Sequence, residues 1–326
     1  MILFDNLKYK IFCDMDGVIV DFDKNNFSEA VEAKVLTSSM QMEQSQYDGC
    51  LFYRFEPSRE RIEEKAGRHI DDFLVTGLEP NVERFLAQAR DKLNMQDAVC
   101  LCRAGDEGRL LAMNTRKLDN GCSLQDKPLL IHGIATALGM ENAKTSLIPE
   151  TINEKAQDSD DESLTPSEAR NFRTCVGKAM YLSHHRPDIQ HSVNTLSRSM
   201  RNPTMIAMRR LKKLTRYLLG TSEVYQELCP DPHAETLQVP VDSDWADDRE
   251  THQSCSGGAV LFHGCAVLTW ARTQKTRALS SAEAELYGIG SGAIEGLGAA
   301  QLLQEWQYKT VPLLQTDSQS ALAVCK

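Results

Sequence analysis

The sequence predicts a mixed α/β (α+β) fold, and three observations carry that reading. Residues 237–242, 258–263 and 265–273 are apolar runs, the last two joined by a turn at Gly264, which reads as a three-stranded meander. Residues 281–305 place Leu286, Ile289, Ala293, Leu297, Ala300 and Leu303 at three- and four-residue spacing, one face of a long helix. Residues 313–315 form a short apolar strand, after which SQSALAVC begins another helix. The order is strand, strand, strand, helix, strand, helix.

Each element carries punctuation that fits it. The first strand ends at Asp242, inside VDSDWADD. The Ser280-Ser281 pair ahead of Glu283 reads as the helix cap rather than as a nucleophile. Gly288, Gly290 and Ala293 fit a dinucleotide fingerprint on paper, but they lie within the helix, where no strand-to-helix turn offers amides to a pyrophosphate. They read instead as close packing of the helix on the sheet, which makes the helix dependent on tertiary contact.

Three carboxylates are the candidate functional residues: Asp242 at the first strand, Glu285 in the first turns of the helix, and Asp317 after the fourth strand. Converging carboxylates without basic neighbours repel one another, and a hard divalent cation relieves the repulsion. Taken singly, each has a plainer role. Asp244, Asp247 and Asp248 form a solvated acidic turn with Asp242, and Glu283 and Glu285 suit the positive end of a helix dipole. The joint pattern points to a metal seat.

The motifs DSDWADD, LTWART, ALSSAEAELYGI and TDSQSALA, in that order, resemble the RNase H domain of copia-type retrotransposon Pol proteins across nearly all of 236–326. That resemblance implies an RNase H-like mixed sheet with flanking helices. It implies Asp242, Glu285 and Asp317 as ligands of Mg2+ or Mn2+, and a reaction in which two metal ions about 3.5–4 Å apart cleave the RNA strand of an RNA:DNA hybrid. Such sites use a fourth acid on a later helix. The sequence stops at Cys325 and Lys326, so the expectation is an incomplete last helix and weak activity or none.

The resemblance continues upstream. Phe172, Val176, Gly177, Arg186 to Ile189, Asn194 and RRLKKLTRYLLGT look like the segment joining polymerase to RNase H. Residues 189–222 hold Arg198, Arg201, Arg209, Arg210, Lys212, Lys213 and Arg216 with no Asp or Glu, a candidate phosphate-contacting surface or a helix face paired with acids elsewhere. QSQYDGCLFYRF and HIDDFLVTG resemble a reverse-transcriptase palm, with Asp71 and Asp72 as the metal-binding pair, His69 where the family carries an aromatic, and an amphipathic helix from Pro80. The family's earlier palm acid and fingers have no match, so polymerase activity is expected to be lost. KIFCDMDGVIVDFDK instead resembles the first motif of haloacid-dehalogenase-type phosphatases, with Asp14 as nucleophile and Asp16 as acid/base. The later motifs of that family are not evident.

The expected organisation is a leader (1–26), a partial reverse-transcriptase palm and thumb (27–149), an acidic linker (150–170), a basic helical connection (171–235) and the RNase H-like domain (236–326). The net charge of −10 over 326 residues argues against generalised nucleic-acid affinity and leaves binding to local basic patches. Ten scattered cysteines without a CxxC pair argue against a zinc ribbon or disulfide framework; Cys100 and Cys102 read as same-face strand residues, and His184, His185 and His191 lack the partner spacing of a zinc site. Reduced thiols and the lack of a signal peptide or spanning helix imply an intracellular protein. The functional expectation is metal-dependent hybrid cleavage, with a non-catalytic nucleic-acid-binding protein and a phosphatase acting through Asp14 as alternatives.

Overall fold

Alternation at the C-terminal sheet explains its architecture. Strand β11 (Leu237–Asp244) buries Leu237, Val239, Val241 and Ser243 on one face, the two-residue period of a half-covered strand. β12 (Cys255–Phe262) pairs antiparallel with β11, and β13 (Cys265–Thr273) antiparallel with β12. β14 (Pro312–Gln315) returns parallel to β11, giving the mixed order β13-β12-β11-β14. Gly264 turns the β12–β13 hairpin with a φ of 75°, a conformation that costs glycine little.

The computed structural model describes residues 17–22, 35–59, 61–69, 72–92, 95–110, 113–125, 128–150, 162–234, 236–248 and 251–325. Asp14, Asp16 and Asp71 lie outside the described residues.

Helix α6 (Ser281–Glu305) covers the sheet. Its limits agree with the sequence pattern, and Ser280 caps it by accepting the Glu283 amide. Its buried face agrees only at Leu303. Ala284, Gly288, Gly292, Gly296 and Ala299 face the sheet, whereas Leu297 is exposed and Leu286, Ile289 and Ala293 are only half-buried. A Cβ at Gly292 would strike Val241, and one at Gly296 would strike Val239 and Pro312. The small-residue stripe lets the helix sit close to β11, and this displaces the larger side chains to its flanks. α7 (Gln319–Cys325) follows β14.

Upstream, β1 (Gly17–Phe22), β2 (Glu43–Gln44), β3 (Leu51–Phe55), β4 (Ile62–His69), β5 (Asp72–Gly77) and β6 (Met95–Leu101) form a six-stranded sheet in the order β2-β3-β4-β5-β1-β6. β1 comes from the leader, yet it lies between β5 and β6, with Asp21 opposite Asp72. α1 (Glu79–Lys92) packs Val82, Phe85 and Ala89 against Phe52, Ala66 and Phe73 of this sheet. Cys100 lies in β6 but Cys102 falls just past its end, so the two are not both strand residues as the sequence pattern suggested.

β7 (Glu107–Leu110), β8 (Met113–Leu118), β9 (Gly121–Gln125) and β10 (Tyr225–Leu228) make a third, antiparallel sheet. Between β9 and β10 the chain forms a helical group: α2 (Pro128–Ala137), α3 (Pro166–Ser183), α4 (Gln190–Arg198) and α5 (Met205–Gly220). Thr165 and Glu168 form a reciprocal capping box at the start of α3. Phe172, Val176, Leu196, Leu211 and Leu214 join Ile131 and Ile134 in the core of this group. Among the described residues no helix is long and apolar enough to cross a membrane.

Candidate metal centre

The parallel pairing of β11 and β14 sets the site. Pro240 lies opposite Gln315, the last residue of β14, so two residues further on Asp317, just past β14, comes beside Asp242 of the adjacent strand. β11 runs to Asp244, so Asp242 lies within the strand rather than at its end. α6 starts at the same end and brings Glu285 over the sheet. One carboxylate oxygen from each of Asp242, Glu285 and Asp317 lies within 4.8 Å of the others.

Their surroundings are unequal. Asp242 and Asp317 are exposed, whereas Glu285 is buried. Burial, then the charges of Asp242 and Asp317, push the Glu285 carboxyl above the ordinary carboxylate range, and the Ser243 amide only partly offsets this. Glu285 Oε2 is buried without a hydrogen-bond partner. Glu283, the competing acid, is committed to the helix start: its Oε2 accepts the Leu279 amide at 2.7 Å and its Oε1 accepts the Tyr287 hydroxyl at 3.2 Å.

Beneath the acids lies a polar knot that sequence reasoning missed. The buried Gln274 amide nitrogen donates to Ser256 Oγ at 2.7 Å and to the Ala284 carbonyl at 2.8 Å. Ser243 Oγ lies 3.2 Å from Ser256 Oγ. Ser243 adjoins Asp242 and Ala284 adjoins Glu285, so Gln274 ties the backbones that carry two of the three acids. Gln274 follows an apolar strand and carries no motif of its own, so nothing in the sequence signals this role.

The other candidates fall elsewhere. Arg198 is not open to phosphate: it pairs with Asp247 at 2.6 Å and with Asp248 at 3.6 Å, because α4 packs beside the turn that follows β11. Arg201, Arg210, Lys212 and Arg216 are exposed, while Arg209 and Lys213 are half-buried. Asp72 sits in β5 opposite His69 across a hairpin. His191 does have prospective metal partners, contrary to the sequence reading: Asp247 and Cys255, distant along the chain, offer ligand atoms that lie with its own within 4.8 Å of one another.

The fold and cluster define a mixed-sheet α/β protein with an all-oxygen acidic site where parallel strands end beside a helix start. No family model matches the chain. It is 28% identical over 264 residues to the Retrovirus-related Pol polyprotein from transposon RE1 of Arabidopsis thaliana, covering 79% of this chain and 17% of that protein. It is 32% identical over 157 residues to the Retrovirus-related Pol polyprotein from transposon TNT 1-94 of Nicotiana tabacum, covering 48% of this chain and 12% of that one. An uncharacterized mitochondrial protein of Arabidopsis thaliana is 28% identical over 230 residues, with 70% of this chain and 90% of that protein covered. These similarities, at 27–32% identity and over as much as 79% of the chain, support a fragment related to copia-type retrotransposon Pol proteins. It spans about 17% of the length of the first Pol polyproteins it matches.

Proposed function

We propose that the C-terminal unit is a divalent-metal nuclease of the RNase H type, acting on the RNA strand of an RNA:DNA hybrid. The observation that carries the reading is the convergence of three carboxylates within 4.8 Å, one of them buried with an unpartnered oxygen. The donor set is all oxygen and anionic, which suits Mg2+ or Mn2+. A bound ion there would supply a polarised phosphoryl oxygen and an acidified water.

The chain's own residues do the rest. Asp242, Glu285 and Asp317 hold the cation seat open at the sheet edge, where a backbone phosphate can approach from solvent. Gln274, through Ser256 and the Ala284 carbonyl, fixes the spacing of the strand and helix that bear the acids. Arg201, Arg210, Lys212 and Arg216 are the exposed part of the basic segment and are assigned to the phosphate backbone. Hybrid selection would rest on groove shape and the 2′-hydroxyl rather than on base sequence.

The test is cleavage of an end-labelled RNA:DNA hybrid by the full chain in Mg2+ or Mn2+. Cleavage in the RNA strand is expected, with Asp242→Asn and Asp317→Asn each reducing it by more than the roughly 10–100-fold typical of a supporting residue. Hybrid binding without cleavage would favour the non-catalytic nucleic-acid-binding reading, and cleavage that persists in both variants would remove the acids from the chemistry.

A further inference from the structure

A second cluster lies at the seam between the helical group and the C-terminal sheet, and its chemistry differs from the all-oxygen site. His191 comes from α4, Asp247 from the turn after β11, and Cys255 from the first position of β12. Their ligand atoms lie within 4.8 Å of one another. We propose that imidazole, carboxylate and thiolate here form a Zn2+ site that joins the helical connection to the sheet.

The geometry favours a metal over a simple ion pair at the critical edge. His191 Nε2 lies 3.3 Å from Asp247 Oδ1, longer than the 2.7–2.9 Å usual for a charge-assisted hydrogen bond. Two ligands about 2.0–2.1 Å from a tetrahedral zinc sit roughly 3.3 Å apart, the separation found here. The donor set of one nitrogen, one oxygen and one sulfur suits a borderline ion such as zinc and suits Mg2+ poorly. Three protein ligands leave a fourth position for water.

Each prospective ligand also has a residue that holds it. His191 Nδ1 lies 2.8 Å from Glu150 Oε1, which fixes the tautomer and turns Nε2 toward Asp247 and Cys255. Arg198 takes the other Asp247 oxygen at 2.6 Å, leaving Oδ1 for the metal. Asn194 donates to Cys255 Sγ at 3.6 Å, which orients the sulfur. Carboxylate, guanidinium and amide therefore support the three ligands separately. Zinc entry would displace the thiol proton and any proton on Nε2, so affinity should rise with pH. The site would clamp α4 to the turn that begins three residues past Asp242. This inference does not depend on hybrid cleavage.

Cobalt(II) titration of the chelator-treated full chain tests it, because a thiolate ligand gives a sulfur-to-cobalt charge-transfer band that oxygen ligands do not. The expected result is a band saturating at one equivalent, bleached by Zn2+, lost in Cys255→Ser and His191→Gln, and kept in Asp242→Asn. Glu150→Gln should weaken binding roughly 10–100-fold. Zn2+ should raise the melting temperature of the unaltered chain but not of His191→Gln. If Cys255→Ser fails to fold by circular dichroism, the half-exposed His191→Gln decides alone. No band, or a band surviving in a folded variant of either ligand, overturns the proposal and leaves an ion-pair network only.

Discussion

Gln274 and Asp188 are the residues through which polar chemistry fixes this structure most directly. Gln274→Ala removes the donor shared by Ser256 and the Ala284 carbonyl, so it should act on the acids through their spacing. We expect cleavage to fall roughly 10–100-fold and the Mg2+ requirement to rise, a shift that metal titration of the rate would read. An equal loss at saturating and limiting Mg2+ would rule out the positioning role. Asp188 receives both arms of Arg186, at 2.9 and 2.7 Å, and the Tyr217 hydroxyl at 2.7 Å. Burial alone would raise its pKa, but these hydrogen bonds, Arg186's first, outweigh it and hold the carboxyl below its ordinary value. A lowered folded pKa contributes stability above the unfolded value of about 3.9, and that stability is lost as pH falls through the folded value. Asp188→Asn should therefore cost about 1–3 kcal/mol at neutral pH by urea denaturation, because the buried Arg186 loses its charged partner. The gap should close only in strong acid. Asp242, Glu285 and Asp317 could be singled out because an apolar strand and a helix register announce themselves in a local pattern, although β11 runs two residues past Asp242. His191, Asp247 and Cys255 were not, since each takes its meaning from an element far away in sequence.

At the scale of elements, α6 shows what a hydrophobic period can and cannot tell. Its limits were readable from Ser280 and from the length of the pattern, but the period counted large apolar residues, and close packing on a sheet selects small ones. Gly290 and Gly292 make the distinction measurable. A Cβ at Gly290 meets open space, so Gly290→Ala should stabilise by about 1 kcal/mol through helix propensity. A Cβ at Gly292 meets the stiff Val241 side chain together with Leu314 and Val239, so Gly292→Ala should destabilise by about 1–3 kcal/mol through overpacking. Equal effects in chemical denaturation would contradict the close approach. β1 carries a second lesson of this kind. The sequence reading assigns no strand to 17–22, because pairing with β5 and β6 is a long-range choice that a leader with an unrelated motif does not disclose.

Across the whole molecule, the two ends of α6 serve different neighbours. Glu305, at its C-terminal end, accepts the Gln46 amide at 2.7 Å, and Lys65 lies 4.7 Å from the Trp306 ring centre, so the six-stranded sheet is fastened there. Glu285 lies at the other end, roughly 30 Å away at 1.5 Å per residue, which leaves the acidic cluster clear of that seam. Charge then decides how a hybrid could be held. A net charge of −10 repels phosphate at long range, so any affinity must come from the few exposed cations of the α5 region acting at short range. Neutralising Lys212 and Arg216 to Gln should weaken hybrid binding at every sequence tested. It should also flatten the plot of log affinity against log salt by up to about 0.9 for each phosphate that is no longer neutralised. Fluorescence anisotropy across a salt series would measure both quantities. An unchanged slope would mean that α5 does not touch the backbone, and the grip on nucleic acid would have to be sought on another face of the protein.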